Sequence, residues 1–224
     1  MFRCFMIALT IPTLLWAEAE APAATEAEAP AAETVIPAEE AALPERVARN
    51  PVALVKAGPI DDALMQRLKS WAENVLAIPA PFAESLDTTA ESMDAVAEEA
   101  AARLRPEDLG VVVFLAADHD LPNHGIYRED LRVVVVNANL MKKDVDEETY
   151  ARRMDRQVIR GIAMLMGLET SPNPESAMAF YSTMEELDQI GRNLDPPWLH
   201  RLQLRARELG IPLDPENPMN LLRE

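Results

Sequence analysis

One short polar stretch, DHDLPNH, combines the residue types that most often bind metal ions. It contains Asp118, His119, Asp120 and His124, so two carboxylates and two imidazoles lie close together in the sequence. Carboxylate oxygens and imidazole nitrogens are ligands for divalent metals. The spacing matches no established metal motif, and aspartates in such stretches often form turns. We interpret the stretch as a solvated loop and keep a metal-dependent hydrolase site at these four residues as the alternative.

A second stretch, RGIAMLMGL, has the frame of a zinc-peptidase motif without its chemistry. The motif HExxHxxGxxH needs two histidines one helical turn apart, a glutamate after the first, a glycine and a third ligand. Arg160, Met164 and Thr170 stand at the three ligand positions. Gly161 stands at the glutamate position, and Gly167 alone keeps the motif residue.

Beyond this stretch the chain resembles the archaemetzincins, small zinc peptidases of the metzincin clan. With the motif glycine set on Gly167, the conserved methionine of the family falls on Met178 without insertion or deletion. The segment SAMAFYSTMEELD resembles the family's CVMxFSxSLEEvD, and LGVVVFLAADHDL resembles the strand that leads into its TDxDL motif. The matching residues are Met178, Phe180, Ser182, Glu185, Glu186 and Asp188, and upstream Asp118, Asp120 and Leu121. The likeness covers roughly residues 55–202.

The resemblance implies an α+β fold of the zincin or metzincin type, with a small mixed sheet and packed helices. It also implies two zinc sites whose ligands this chain lacks, since the cysteines of the family's structural site fall on Ser171, Ser176, Pro196 and Leu199. Arginine, methionine and threonine offer none of the imidazole, thiolate or carboxylate donors that zinc prefers. We therefore expect no peptidase activity by the family mechanism and no cofactor.

Arg160 would place a guanidinium near the position of the missing zinc. Such a cation can hold a carboxylate or a peptide C-terminus by a bidentate contact. We favour an internal ion pair with Glu175, Asp188 or another nearby acid. Met164 is expected to pack where a ligand would have faced a cleft.

The amino-terminal residues predict export. In residues 1–17, Arg3 precedes an apolar run and Ala17 follows it, which is typical of a signal peptide or an uncleaved anchor. Residues 18–50 are rich in alanine, glutamate and proline and predict a disordered acidic linker, because they cannot bury a core. Residues 51–224 are expected to form the domain. Cys4 is the single cysteine and lies in the signal, so a cleaved chain has no disulfide.

The net charge of −17 sets limits on partners. Nucleic acid and anionic membrane surfaces repel such a chain. We expect membrane contact only through an uncleaved N-terminal segment, and a periplasmic or secreted location.

Apolar patterns predict the elements that position these residues. The β-branched runs 111–116 and 131–136 predict buried strands, with a polar loop over 118–130 between them. Caps and apolar spacing also predict four helices. The first follows Asp61, and the second has Thr88 and Glu91 as a capping box. The third covers residues 146–167 and ends at Gly167, and the fourth starts at Pro196 and Pro197 and ends at Gly210.

These observations leave three hypotheses. The first is an exported pseudopeptidase that binds or scaffolds, with a peptide or protein in the former substrate cleft. The second is the metal-dependent hydrolase at residues 118–124. The third is a structural envelope protein in which the acidic linker sets a distance.

Overall fold

A computed structural model of the chain describes residues 49–222. The predicted signal peptide and nearly all of the predicted linker lie outside the described residues. The described strands are β1 Ala53–Ala57, β2 Val111–Leu115, β3 Gly125–Arg128 and β4 Val133–Asn137. The described helices are α1 Asp62–Leu76, α2 Met93–Ala101, α3 Ala138–Lys142, α4 Glu147–Leu165, α5 Met184–Gln189 and α6 Pro196–Glu208.

The four strands form one mixed sheet in the order β1-β2-β4-β3. Strands β1, β2 and β4 are parallel, and β3 runs antiparallel to β4 at the sheet edge. The two central strands are buried along their whole length. Their continuous valine runs suit strands that are covered on both faces. The predicted α+β fold with a small mixed sheet is therefore confirmed.

Helices cover both faces of the sheet. Alternate residues of the central strands, such as Val112 and Val134, pack in one cluster with α1, α4 and α6. Their neighbours, such as Val111 and Val133, pack in a second cluster against α2. Because successive side chains of a strand point to opposite faces of the sheet, one apolar run contributes to both clusters. Within residues 49–222, no helix is both long enough and apolar enough to cross a membrane.

The helix ends follow local chemistry. Asp61 and Asp146 cap α1 and α4 by accepting from backbone N–H groups at 2.6 and 2.7 Å. Gly167 has φ +82°, the left-handed conformation predicted for the stop after α4. The predicted Thr88 cap of α2 is wrong. Ser92 caps this helix instead, because α2 begins only at Met93 and Ser92 Oγ accepts from Ala95 N.

Two strands were not predicted. Strand β3 lies inside the predicted loop 118–130, and its short, half-buried GIYR sequence becomes a strand only because it pairs with β4. Strand β1 precedes the helix at Asp61 and pairs with β2. Asn50, placed at the end of the predicted linker, donates its amide to Asp108 at 2.7 Å.

Candidate functional site

Arg160 lies on α4 and directs its guanidinium at the segment that contains Met178. Its Nη1 donates to the carbonyl oxygens of Ala177 at 2.8 Å and Ala179 at 2.6 Å. The guanidinium carbon lies 4.9 Å from the centre of the Tyr181 ring. Burial lowers the pKa of Arg160, yet a guanidinium stays charged in proteins. The position of the first zinc ligand therefore holds a cation that binds backbone carbonyls.

Arg160 is one of three arginines on α4 that hold the segment from residue 177 to residue 190. Arg153 Nε and Nη2 donate to the Asp188 carboxylate at 2.9 and 2.6 Å. Arg156 donates to the carbonyl oxygens of Ile190 and Asp188 at 2.9 and 3.0 Å. The expected ion pair of Arg160 with an acid is wrong, because Arg153 already takes Asp188 and no other carboxylate among residues 49–222 forms an ion pair with Arg160.

Tyr181 fills the space beside Arg160. Its hydroxyl accepts a hydrogen bond from Gln157 Nε2 at 2.9 Å, and its ring stacks on His124 with centroids 5.7 Å apart and an interplanar angle of 12°. Burial raises the pKa of Tyr181 and lowers the pKa of His124. The Tyr181 ring thus contacts both the Arg160 guanidinium and the His124 imidazole, next to the position of the first ligand.

Gly161, at the position of the glutamate base, faces the sheet. A Cβ atom at this residue would lie 2.8 Å from Val112 Cγ2 and 3.4 Å from Val134 Cγ1. Valine side chains are stiff at χ1 and turn away at an energetic cost. A side chain at residue 161 therefore requires Val112 to turn or shift.

Met164 is partly buried against the main core, and Tyr127 lies over it from strand β3. The Tyr127 hydroxyl donates to the Met164 carbonyl oxygen at 3.2 Å. This contact joins the edge strand to α4.

Beyond this contact, a groove of about 780 Å³ opens at the C-terminal end of α4. We call it the Trp198 groove, and its lining includes Tyr127, Leu165, Gly167, Leu168, Trp198 and Leu204. Trp198 Nε1 donates to the Glu169 carbonyl oxygen at 2.9 Å, and the Arg201 guanidinium lies 4.7 Å from a Trp198 ring centre. Leu204 is 41% exposed. The groove offers aromatic and aliphatic surface next to charged side chains.

The remaining motif positions serve the core or face solvent. Thr170 is exposed, and Met178 is buried in the main core. At the positions of the second zinc site, Ser171 Oγ donates to Asp195 Oδ1 at 3.0 Å and Leu199 is buried. Ser176 Oγ accepts from Met178 N, and Pro196 starts α6. Hydrogen bonds and apolar packing thus stand where the frame has zinc ligands.

The DHDLPNH stretch does not converge on one point. His119 bonds to the Asp118 carboxylate at 3.0 Å and to the Glu91 carbonyl oxygen at 3.1 Å, whereas His124 stacks on Tyr181. The contact with Asp118 raises the pKa of His119 and lowers that of Asp118. Asp120 is exposed beside another surface hollow. Nowhere in residues 49–222 do three or more His, Cys, Asp or Glu side chains form a group that could hold a metal.

The sheet order, the antiparallel edge strand and the α4–glycine–methionine arrangement define a metzincin-like domain. Three solved structures are similar to this chain in fold. Archaemetzincin from Methanopyrus kandleri is 19% identical with a TM-score of 0.57, and the match covers 70% of this chain and 96% of that one. A zinc-dependent peptidase from Methanocorpusculum labreanum is 14% identical with a TM-score of 0.50, covering 67% and 99%. Archaemetzincin from Archaeoglobus fulgidus, complexed with malonate, is 12% identical with a TM-score of 0.51, covering 66% and 98%.

The fold of this chain is therefore archaemetzincin-like, as the resemblance implies. At these identities the likeness defines the fold and not the activity. No family model and no curated protein matches the chain.

Sequence reasoning missed the side chains that occupy the site. In the sequence, Tyr181 is one residue of the segment around Met178 and Tyr127 is one residue of a predicted loop, and neither position indicates its contacts. The one available signal was the spacing of Arg153, Arg156 and Arg160. Arginines three and four residues apart share a helix face, and here that face lies on a helix with many buried apolar residues.

Proposed function

We propose that this chain is an exported, catalytically inactive metzincin-like protein, a pseudopeptidase, that binds a peptide or protein partner. The observation that carries this proposal is the Arg160 guanidinium, which is bound to the Ala177 and Ala179 carbonyls at the position of the first zinc ligand. An arginine has no lone pair to give to zinc, because it remains protonated.

The other positions do not supply the missing chemistry. The Met164 thioether is a soft donor that zinc sites rarely use, and Thr170 is exposed. Gly161 has no side chain to take a proton, and Val112 fills the space that a base would need. The residues present do not fit zinc, so we derive no hydrolytic step through it.

The Trp198 groove is the place we propose for the partner. Interface centres are enriched in tryptophan, tyrosine and arginine, and Trp198, Tyr127 and Arg201 line this groove. The groove adjoins the Tyr127–Met164 contact, whereas Arg160, Met164 and Thr170 do not line it. A peptide seated there would therefore bind beside the ligand positions and not on them.

Export is proposed from the predicted signal in residues 1–17. The net charge of −17 favours partners with basic surface over nucleic acid or anionic membrane. Contact with a membrane is proposed only through the N-terminal segment, if it stays uncleaved.

Elemental analysis of the purified chain, dialysed without chelator, tests the inactive state. We expect less than about a tenth of an equivalent of any transition metal, because a true structural or catalytic zinc would survive dialysis. About one equivalent of zinc, lost in His119→Ala or His124→Ala, would contradict the proposal and support the hydrolase at residues 118–124.

A peptide-display selection against the whole chain tests the binding role. Peptides selected on the wild type should lose at least about tenfold in affinity with Leu204→Asp, because the substitution puts a charge into the apolar lining of the groove. Leu221→Asp is the matched control, since Leu221 is 45% exposed and does not line the groove. If both variants lose the same affinity for the peptides, or if neither loses any, the groove is not the binding site.

A further inference from the structure

A second cavity, independent of the former cleft, lies at the opposite edge of the sheet. It has a volume of about 420 Å³ and lies between β1, the segment 81–86 and the C-terminal end of α2. We call it the β1-edge pocket. Its apolar lining includes Val55, Leu86, Leu104 and Val111. The volume is within the range of about 300–1,000 Å³ that is typical of small-molecule sites.

The pocket exists because the edge of β1 is only partly covered. The segment 81–86 bonds to the strand at three points: Leu54 N to Pro81 O, Ala83 N to Leu54 O and Leu86 N to Lys56 O, at 2.8, 3.0 and 2.9 Å. The residues that face the gap include Ala53, Ala83 and Ala100. Their small side chains leave the volume that larger ones would fill.

A hydrogen bond joins two walls of the pocket. Arg103, just beyond α2, donates from Nη1 to the Ser85 carbonyl oxygen at 3.1 Å. Phe82, from the segment 81–86, is 44% exposed and lies at the rim. The bridge from Arg103 holds the segment in place, so the opening is part of the folded structure.

Four charged side chains line the pocket: Arg105 and Asp108, which pair with each other, and Glu84 and Arg103. Arg103 supplies the free guanidinium. Among residues 49–222 it has no carboxylate within ion-pair distance, whereas its neighbour Arg105 pairs with Asp108 at 3.1 Å and Glu107 at 3.4 Å. A guanidinium has five N–H donors in a planar fork, and Arg103 uses only Nη1 here. The donors that are left can bind a carboxylate. Glu84 on the same rim disfavours a ligand with two negative charges.

We propose that the β1-edge pocket binds an amphiphilic monocarboxylate with an aliphatic tail, of the class of a medium-chain fatty acid. The tail lies against the apolar floor at Val55 and Val111. The carboxylate meets the Arg103 guanidinium at the rim. The aliphatic floor at Val55 and Val111 suits the tail, and the Arg103 donors that the contact with Ser85 leaves free suit the carboxylate.

Titration calorimetry of the whole chain with decanoate tests the proposal. We expect saturable binding at one site per chain. Arg103→Gln should weaken binding about tenfold or more, because it removes a charge-assisted contact. Arg152→Gln is the matched control, because it also removes an exposed arginine but on α4. This variant should bind decanoate as the wild type does.

Filling the pocket tests the position of the tail. Ala100→Leu should abolish decanoate binding, and Ala53→Leu serves the same purpose if the first variant does not fold. Decanol should bind the wild type more weakly than decanoate and should not distinguish Arg103→Gln from the wild type. No saturable decanoate binding, or binding unchanged by Arg103→Gln and by the filling variants, would overturn the proposal.

Discussion

The guanidinium of Arg160 joins α4 to a chain segment that begins 17 residues later. It satisfies two buried carbonyl oxygens and rests on an aromatic ring. A peptidase of this frame would use a metal to join the same helix to its surroundings. Arg160 thus connects α4 to the segment at Ala177 and Ala179, but its guanidinium cannot bind zinc.

Arg160→Ala should destabilise the domain by about 3 kcal/mol, because two buried carbonyls would lose their donor at about 1–3 kcal/mol each. Urea unfolding measures the loss. Arg152→Ala is the control on the same helix, since its pair with Glu148 is exposed and surface pairs contribute about 0–1 kcal/mol. Similar losses for the two variants would contradict the role given to Arg160.

Gly161→Ala should also destabilise, by about 1–2 kcal/mol. The added methyl would lie 2.8 Å from Val112 Cγ2, and overpacking typically costs about 1–3 kcal/mol. The gain in helix propensity, about 1 kcal/mol, offsets only part of this. The free energy of unfolding from urea titrations gives the value.

Val112→Ala supplies the matching test. In the Val112→Ala background, Gly161→Ala should cost less than in the wild type, because the methyl then enters the space that the valine has left. The interaction energy from this double-mutant cycle isolates the contact. A cycle without interaction energy would mean that the Val112 contact does not limit residue 161.

At the scale of elements, α4 is fixed on a second side by a buried carboxylate. Asp155 is fully buried and accepts from Arg67 Nη2 of α1 at 2.9 Å and from Arg192 Nη1 at 3.4 Å. The Arg192 guanidinium also lies 4.7 Å from a Trp71 ring centre. One side chain therefore ties α4 to α1 and to the loop after α5.

Asp155→Ala should lower the free energy of unfolding by about 1.5–3 kcal/mol, because hydrogen bonds from two charged groups to a buried carboxylate are lost. Arg67 and Arg192 are more than one-third exposed, so water solvates the cations that remain. Glu148→Ala is the control. Glu148 also pairs with Arg67, at 3.2 Å, but it is exposed, so its loss should cost less than about 1 kcal/mol. Chemical denaturation compares the two, and equal effects would contradict the importance of burial.

The start of β2 is joined to the start of β1 through Asp108. Burial raises the pKa of Asp108, but hydrogen bonds from Arg105 and Asn50 outweigh it and lower the pKa to about 2 from the ordinary 3.8. The folded state thus favours the charged carboxylate. Its contribution to stability is complete above about pH 4 and is lost as the pH falls toward 2.

Asp108→Asn should therefore lose less stability than the wild type between pH 4 and pH 2. Arg105→Gln should act in the same direction, because the carboxyl would lose its main donor and its pKa would return toward the ordinary value. Urea unfolding at several pH values measures the slopes. Slopes equal to that of the wild type in both variants would contradict this linkage.

For the whole molecule, the sequence predicted what depends on spacing and local chemistry. Gly167 and Met178 indicated the archaemetzincin-like fold, and valine runs predicted β2 and β4. Strand β3 could not be predicted, since GIYR has no strong strand pattern and depends on β4. The contacts of Tyr181 with Arg160 and of Tyr127 with Met164 could not be predicted either. They follow from tertiary packing between segments that are far apart in the sequence.

The contact between Arg160 and the Ala177 and Ala179 carbonyls contains no metal ion. A zinc cross-link forms only after an ion has been acquired, and chelators or acid can remove it. The arginine cross-link is part of the polypeptide itself and needs no acquisition step. If the chain is exported as proposed, this connection between α4 and the methionine segment is complete when the chain has folded, whatever the supply of zinc around it.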